Sequence, residues 1–169
     1  MVRSIAVACI VLLASGCAQP QATSTDGRAT VVRVIDGDTI VVRIGGRDEN
    51  IRLLGIDTPE THKPDTPVEC YGPEASDRMA ALLPAGTAIR LVRDVEARDR
   101  FGRLLAYVYR DSDGLFIDLT MVSEGYAGTL SIKPNFAHRG ELEAAATAAQ
   151  AARRGLWQVC GGNHAPSGG

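Results

Sequence analysis

This sequence predicts a mainly β, α+β domain, on three observations. Valine- and isoleucine-rich runs alternate with polar residues early in the chain, a proline-opened helical segment interrupts them, and an alanine-rich helical period comes near the end. At 169 residues with 45% hydrophobic side chains, the chain suits one compact domain with extensions and can bury a core.

Residues 30–35, 39–44 and 50–54 are rich in Val and Ile and bounded by Gly, Asp or Asn. They read as three successive strands, joined at Asp36-Gly37 and then at Gly45-Gly46. Cys70-Tyr71-Gly72-Pro73-Glu74 opens a helix, because proline fits a first turn whose N–H groups lack partners and an acid suits the positive end of the helix dipole. Pro84 and Gly86 stop it after about Leu83. Strands at 87–92 and 104–109 follow, with the charged stretch 94–103 as the loop between them. Asp118 is placed to cap a short helix that Gly125 ends. Leu142, Ala145, Ala149, Ala152 and Leu156 recur at three-four spacing, so 141–154 is an amphipathic helix with Arg153 and Arg154 at its negative end. Five strands with a helix between the third and fourth, and three helices in all, fit a Greek-key barrel of the OB type. From Gly161 onward Gly, Pro and Ser dominate, and a disordered tail is expected over 161–169.

Residues 1–16 have the charge and length of a signal peptide: Arg3, then an apolar run from Ile5 to Ala14 too short to span a bilayer. Leu13-Ala14-Ser15-Gly16-Cys17 resembles the bacterial lipobox, with Ala14 where leucine is commonest. On that reading Cys17 is lipidated, residues 17–28 are a flexible tether, and the domain occupies 29–160 outside the cytoplasm. Each buried acyl methylene contributes about 0.8 kcal/mol, so several chains on Cys17 would anchor the protein to a membrane. Ordinary cleavage near Ser15 or Gly16 is the alternative. With Cys9 removed and Cys17 lipidated, Cys70 and Cys160 remain, either as a disulfide in an oxidising compartment or as two buried thiols. The 18 lysines and arginines less Arg3, against 20 acids, leave the exported chain at −3. Proteins that grip many phosphates are usually basic, so any positive field here is local.

Three polar motifs stand on this apolar scaffold: Asp36-Gly37-Asp38-Thr39, then Arg52-Leu53-Leu54-Gly55-Ile56-Asp57-Thr58-Pro59-Glu60, then Asp99-Arg100-Phe101-Gly102-Arg103. Each falls at a strand end or turn, where a closing barrel can gather them. Asp38 and Asp57 are candidate ligands for a hard divalent cation, which takes carboxylate and carbonyl oxygens. Pro59 restricts Thr58 to extended geometry, which suits its carbonyl to the same cation. Glu60 is the candidate general base, and Arg52 and Arg103 offer planar forks that match phosphate oxygens. Singly, each residue also reads as a turn former, a loop acid or a solvated strand arginine; the conjunction carries the chemistry.

From about residue 29 to residue 157 the sequence resembles the staphylococcal nuclease (thermonuclease) family. The resemblance rests on Val34-Ile35-Asp36-Gly37-Asp38-Thr39, on the motif from Arg52 to Glu60, on Asp99 to Arg103, and on Gly155-Leu156-Trp157, which occur in the family's order. It implies an OB-fold barrel with three helices, Ca²⁺ held by Asp38, Asp57 and the Thr58 carbonyl, and Arg52, Glu60 and Arg103 as catalytic residues. It further implies hydrolysis of DNA or RNA to 3′-phosphate and 5′-hydroxyl ends by a monomer. The alternative is an inactive nuclease-fold module that binds nucleic acid or protein at the cell surface. Family members stack a base on tyrosines after the second helix, which the stretch 125–135 does not reproduce; Tyr126 there reads as core or platform. His62, His138 and His164 lack ligand spacing and receive no role.

Overall fold

A computed structural model describes residues 26–61 and 67–165; residues 1–25, with the signal peptide, Cys17 and most of the tether, lie outside them, as does His62. Strands β1 (Asp26–Val34), β2 (Thr39–Ile44) and β3 (Arg47–Leu53) form an antiparallel meander. β3 then pairs in parallel with β6 (Leu104–Arg110), β6 pairs antiparallel with β5 (Ala88–Val92), and β5 returns to β1, closing a five-stranded barrel of the OB kind. Closure leaves no free sheet edge. It also corrects the tether boundary: Asp26, Gly27 and Arg28 pair with Val92, Leu91 and Arg90, so these polar residues belong to β1. Backbone pairing recruits them, and their side chains carry no signal of it.

A second sheet is unforeseen in the sequence. β4 (Gly55–Asp57) and β7 (Gly128–Leu130) pair antiparallel outside the barrel, with Asp57 opposite Gly128. Three-residue strands are too short for their periodicity to be read. Val31, Ile40, Val42, Ile51, Leu53, Ile89 and Leu91 join one core as their alternation demands, whereas β6 departs from alternation and buries four consecutive residues, Leu105 to Val108. Each Val, Leu or Ile among them contributes about 1.5–3 kcal/mol when fully buried.

Helix α1 (Gly72–Leu82) lies between β4 and β5 and buries Ala75, Met79 and Leu82. α2 (Ile117–Ser123) does not use Asp118 as its cap. Asp118 turns inward instead and accepts the Val108 N–H at 2.8 Å, and burial pushes its carboxyl well above the ordinary range. α3 (Arg139–Ala151) docks through Leu142 and Ala149, whereas Ala152, expected on the buried stripe, ends the helix exposed. A fourth helix, α4 (Leu156–Val159), adds one turn beyond the three expected, after Gly155 redirects the chain. Its end is tied to the start of α1 by a disulfide between Cys70 and Cys160, 90 residues apart. Among the described residues no helix is long and apolar enough to cross a membrane.

Candidate functional site

The β1–β2 turn, the end of β3, the strand β4 with its following loop, and the β5–β6 loop meet at one rim of the barrel. They enclose a cleft of about 220 Å³ lined by Asp36, Asp38, Thr39, Arg52, Asp57, Thr58, Pro59, Glu60, Arg103 and His164. All six residues singled out in the sequence line it. The two walls meet at Gly37, where a Cβ would lie within 2.7–2.9 Å of three Thr58 side-chain atoms. Only a bare backbone lets the turn carrying Asp38 pack against the loop carrying Thr58.

Arg52 is the centre of the arrangement. The alternation of β3 places it opposite Ile51 and Leu53, yet it is not solvated: it is 5% exposed. Its Nη2 stands 3.0 Å from Asp38 Oδ2 and donates to Asp57 Oδ1 at 2.8 Å. Its Nη1 donates to the carbonyls of Leu53 and Ile56, both at 2.8 Å. One guanidinium therefore fixes both carboxylates and the chain reversal between β3 and β4. Asp38 is further held by the Thr58 N–H on Oδ2 at 3.1 Å and the Thr39 hydroxyl on Oδ1 at 3.0 Å.

Asp36, read in the sequence as a turn residue, also reaches the cleft. Its Oδ1 accepts the Asp38 N–H at 3.0 Å, the usual Asx contact of a tight turn. Burial, then the negative charge of Asp38, push its carboxyl up to about 6. Burial likewise raises the Asp57 carboxyl, against the opposing pull of bonds from His164 and Arg52.

Glu60 is half-buried, and its Oε1 accepts the Thr61 N–H at 2.9 Å. Its backbone is fixed from both sides by Glu69, whose Oε2 accepts the Glu60 N–H at 2.8 Å and whose N–H donates to the Glu60 carbonyl at 2.9 Å. On the opposite wall, Asp99 organises the β5–β6 loop. Its Oδ1 accepts the N–H groups of Phe101 and Arg103, and its Oδ2 accepts Arg103 Nε at 2.7 Å. Burial alone would raise the Asp99 carboxyl, but the Arg103 bonds hold it below its usual value. Phe101 is 70% exposed beside this wall, with the Arg100 guanidinium 4.7 Å from its ring centre. Tyr126 is half-buried, packed against the apolar core and 5.5 Å from the Tyr71 ring.

His164 is a cleft residue that the sequence did not reveal. It lies in the segment expected to be disordered, yet it lines the cleft. His164 Nε2 is 2.6 Å from Asp57 Oδ2, and Nδ1 is 2.6 Å from Glu69 Oε2. These carboxylates raise its pKa against the opposing effect of burial. Cys160 was the available signal: a bridge to Cys70, next in sequence to Glu69, carries the tail to this rim. His138 instead packs edge-on against Tyr107 at 4.3 Å, away from the cleft residues.

Four carboxylates and two guanidiniums give the cleft an acidic balance that repels a phosphodiester. A divalent cation would offset that balance, and the donors fit one. Asp38 and Asp57 converge on one Arg52 nitrogen, and each ionised carboxylate offers about four lone-pair positions, so bonding to Arg52 leaves others available. Among the described residues no group of three or more His, Cys, Asp or Glu side chains is arranged as a metal cage. A hard cation here would take two carboxylates and complete its shell with a backbone carbonyl and solvent.

The chain is similar in sequence to known proteins. The family model for the staphylococcal nuclease homologue matches residues 50–159. A thermonuclease of Staphylococcus hyicus is 41% identical over 127 residues, covering 75% of this chain and 73% of its own. A thermonuclease of Staphylococcus intermedius is 39% identical over 160 residues, covering 91% and 94%. Endonuclease YncB of Bacillus subtilis is 36% identical over 133 residues, covering 78% of this chain and 62% of its own. An OB barrel with an arginine-bridged carboxylate cleft defines the class, and the chain belongs to the staphylococcal nuclease family. Relatives that are thermonucleases and an endonuclease support a hydrolytic nuclease.

Proposed function

We propose that this protein is a calcium-dependent nuclease that hydrolyses DNA or RNA to 3′-phosphate and 5′-hydroxyl ends. The observation that carries the reading is the convergence of Asp38, Arg52, Asp57, Thr58, Glu60 and Arg103 on one cleft. Asp38, Asp57 and the Thr58 carbonyl would hold Ca²⁺, which when bound polarises a phosphoryl oxygen and offsets the acidity of the cleft. Glu60 accepts a proton from water as the water oxygen attacks phosphorus in line. The bond from phosphorus to the 5′-oxygen breaks as the new phosphorus–oxygen bond forms, and the leaving oxygen takes up a proton.

Arg52, fixed before substrate arrives, keeps its positive charge beside the phosphoryl oxygens as negative charge grows on them, which makes its contribution larger in the transition state than in the ground state. Arg103, from the opposite wall, donates to the phosphate and assists the leaving oxygen. Arginine suits both positions because it stays charged. The signal-peptide reading of residues 1–16 and the lipobox-like run ending at Cys17 support an envelope lipoprotein outside the cytoplasm, and the Cys70–Cys160 bridge suits an oxidising compartment.

Digestion of single-stranded DNA by the purified protein, first with calcium and then with chelator, tests the reading. Cleavage only with calcium is expected, with new ends that a 3′-phosphatase can process. Substrate that survives equally in both conditions would return the protein to a binding role.

A further inference from the structure

The cleft has a lining residue that the nuclease chemistry above does not use, His164, carried by the segment from Cys160 to Ala165. The fold seats this segment through several independent contacts. The disulfide fixes Cys160 to Cys70. The Ala165 carbonyl accepts the Cys70 N–H at 3.0 Å. Asn163 Nδ2 donates to the Asp57 carbonyl at 3.2 Å, and it lies over Gly128, the residue opposite Asp57 in the small sheet. A Cβ at Gly128 would stand 3.0 Å from Asn163 Nδ2 and 3.3 Å from its Cβ, so the missing side chain makes room for the tail. His164 then adopts φ of 57°, a left-handed conformation that a residue with a Cβ holds only when its surroundings over-determine it.

We infer that His164 is a positioning residue for Asp57, delivered to the cleft by the Cys70–Cys160 bridge. The inference rests on the reading of Asp57 as a cation ligand. Arg52 holds Asp57 Oδ1 and His164 holds Asp57 Oδ2, each within 2.8 Å, so the carboxylate plane is fixed at both oxygens. Together these bonds use two of about four lone-pair positions on an ionised carboxylate, and the others stay open to a cation. Glu69 Oε2 links the pieces, since it takes both His164 Nδ1 and the Glu60 N–H. One tail histidine thereby orients the ligand carboxylate and touches the residue that anchors the proposed base. The bridge four residues before His164 keeps the imidazole at high effective concentration beside Asp57.

Calcium titration by calorimetry on the wild-type protein, His164→Ala, His164→Gln and the double variant Cys70→Ala, Cys160→Ala tests this, with thermal unfolding as a control. Loss of a partner that orients a ligand costs about 10- to 100-fold in metal affinity. His164→Ala is expected to weaken calcium binding by that factor with its unfolding temperature little changed, because His164 is a surface side chain. His164→Gln, which can still donate one hydrogen bond to Asp57, recovers part of the affinity. The double cysteine variant weakens calcium binding in the same direction. Wild-type protein that binds calcium while His164→Ala binds equally or more tightly overturns the inference alone, as does a His164→Gln that binds no better than His164→Ala. Wild-type protein that takes up no calcium overturns the cation reading and the inference with it.

Discussion

Arg52 illustrates how little a residue's local pattern says about its work. In the sequence it is a polar residue alternating with Ile51 and Leu53, and solvated strand arginine is the ordinary reading. In the fold it binds two carboxylates and two carbonyls while almost wholly buried. Removing it would strand buried charges at a cost of about 3–5 kcal/mol, so a variant there tests stability and chemistry at once. Glu60 separates them better, being half-buried and held by its backbone. Glu60→Gln is expected to lose about 10²-fold or more in cleavage rate with an unchanged circular dichroism spectrum, as for loss of a general base. An unaltered rate would remove Glu60 from that role. Asp36 gives a pH prediction. Its folded pKa of about 6 lies above the ordinary 3.8, so folding takes up a proton between those values and the group's contribution to stability declines as pH rises through them. Denaturant unfolding in chelator should therefore show wild-type protein losing roughly 2–3 kcal/mol relative to Asp36→Asn between pH 4 and pH 7. Parallel pH curves for the two proteins would show that Asp36 is not so perturbed.

The turn between β1 and β2 and the loop after β4 are separate elements that become one wall. Each is legible as an element: Asp36-Gly37 marks the turn, and Thr58-Pro59 marks extended chain. Their approach is not legible, because it depends on Gly37 lying under Thr58, a contact between residues 21 positions apart. Gly37→Ala should drive these elements apart. The expected result is a fall in calcium affinity and cleavage rate of tenfold or more, with the barrel still folded, measured by calorimetry and digestion on the same preparation. Normal affinity in a folded Gly37→Ala would mean that the site does not depend on this close contact. Other elements show where periodicity fails. α4 and the β4–β7 pair are too short to carry a repeat, and Asp118 has the composition of a helix cap but is drawn to the Val108 N–H by burial.

The described residues form a closed barrel, and a disulfide ties the chain just before α1 to the end of α4. The 90-residue separation of Cys70 and Cys160 means that the bridge restricts most of the unfolded domain, worth roughly 4–5 kcal/mol in the chain-entropy account. Reduction is thus expected to lower the unfolding temperature, read by calorimetric melts with and without reductant, and intact mass should rise by two hydrogens. A melt unmoved by reductant, with that mass change present, would show that the bridge restrains nothing the unfolded chain explores. Many surface arginines are matched to carboxylates, as in Arg28–Asp111, Arg78–Glu124, Arg98–Glu49 and Arg110–Asp113, in keeping with a chain that lacks a strong positive field. The sequence by itself determined the barrel class, its main strands and helices, and the six cleft residues, because period-two alternation, turn chemistry and three compact motifs are local signals. The tertiary structure alone decided that Arg52 is buried between two acids, that Asp36 joins them, and that the tail returns to place His164 on Asp57. Those outcomes depend on how separate elements pack at the rim, through contacts such as Arg52 with Asp38 and His164 with Asp57, and no local pattern encodes that packing.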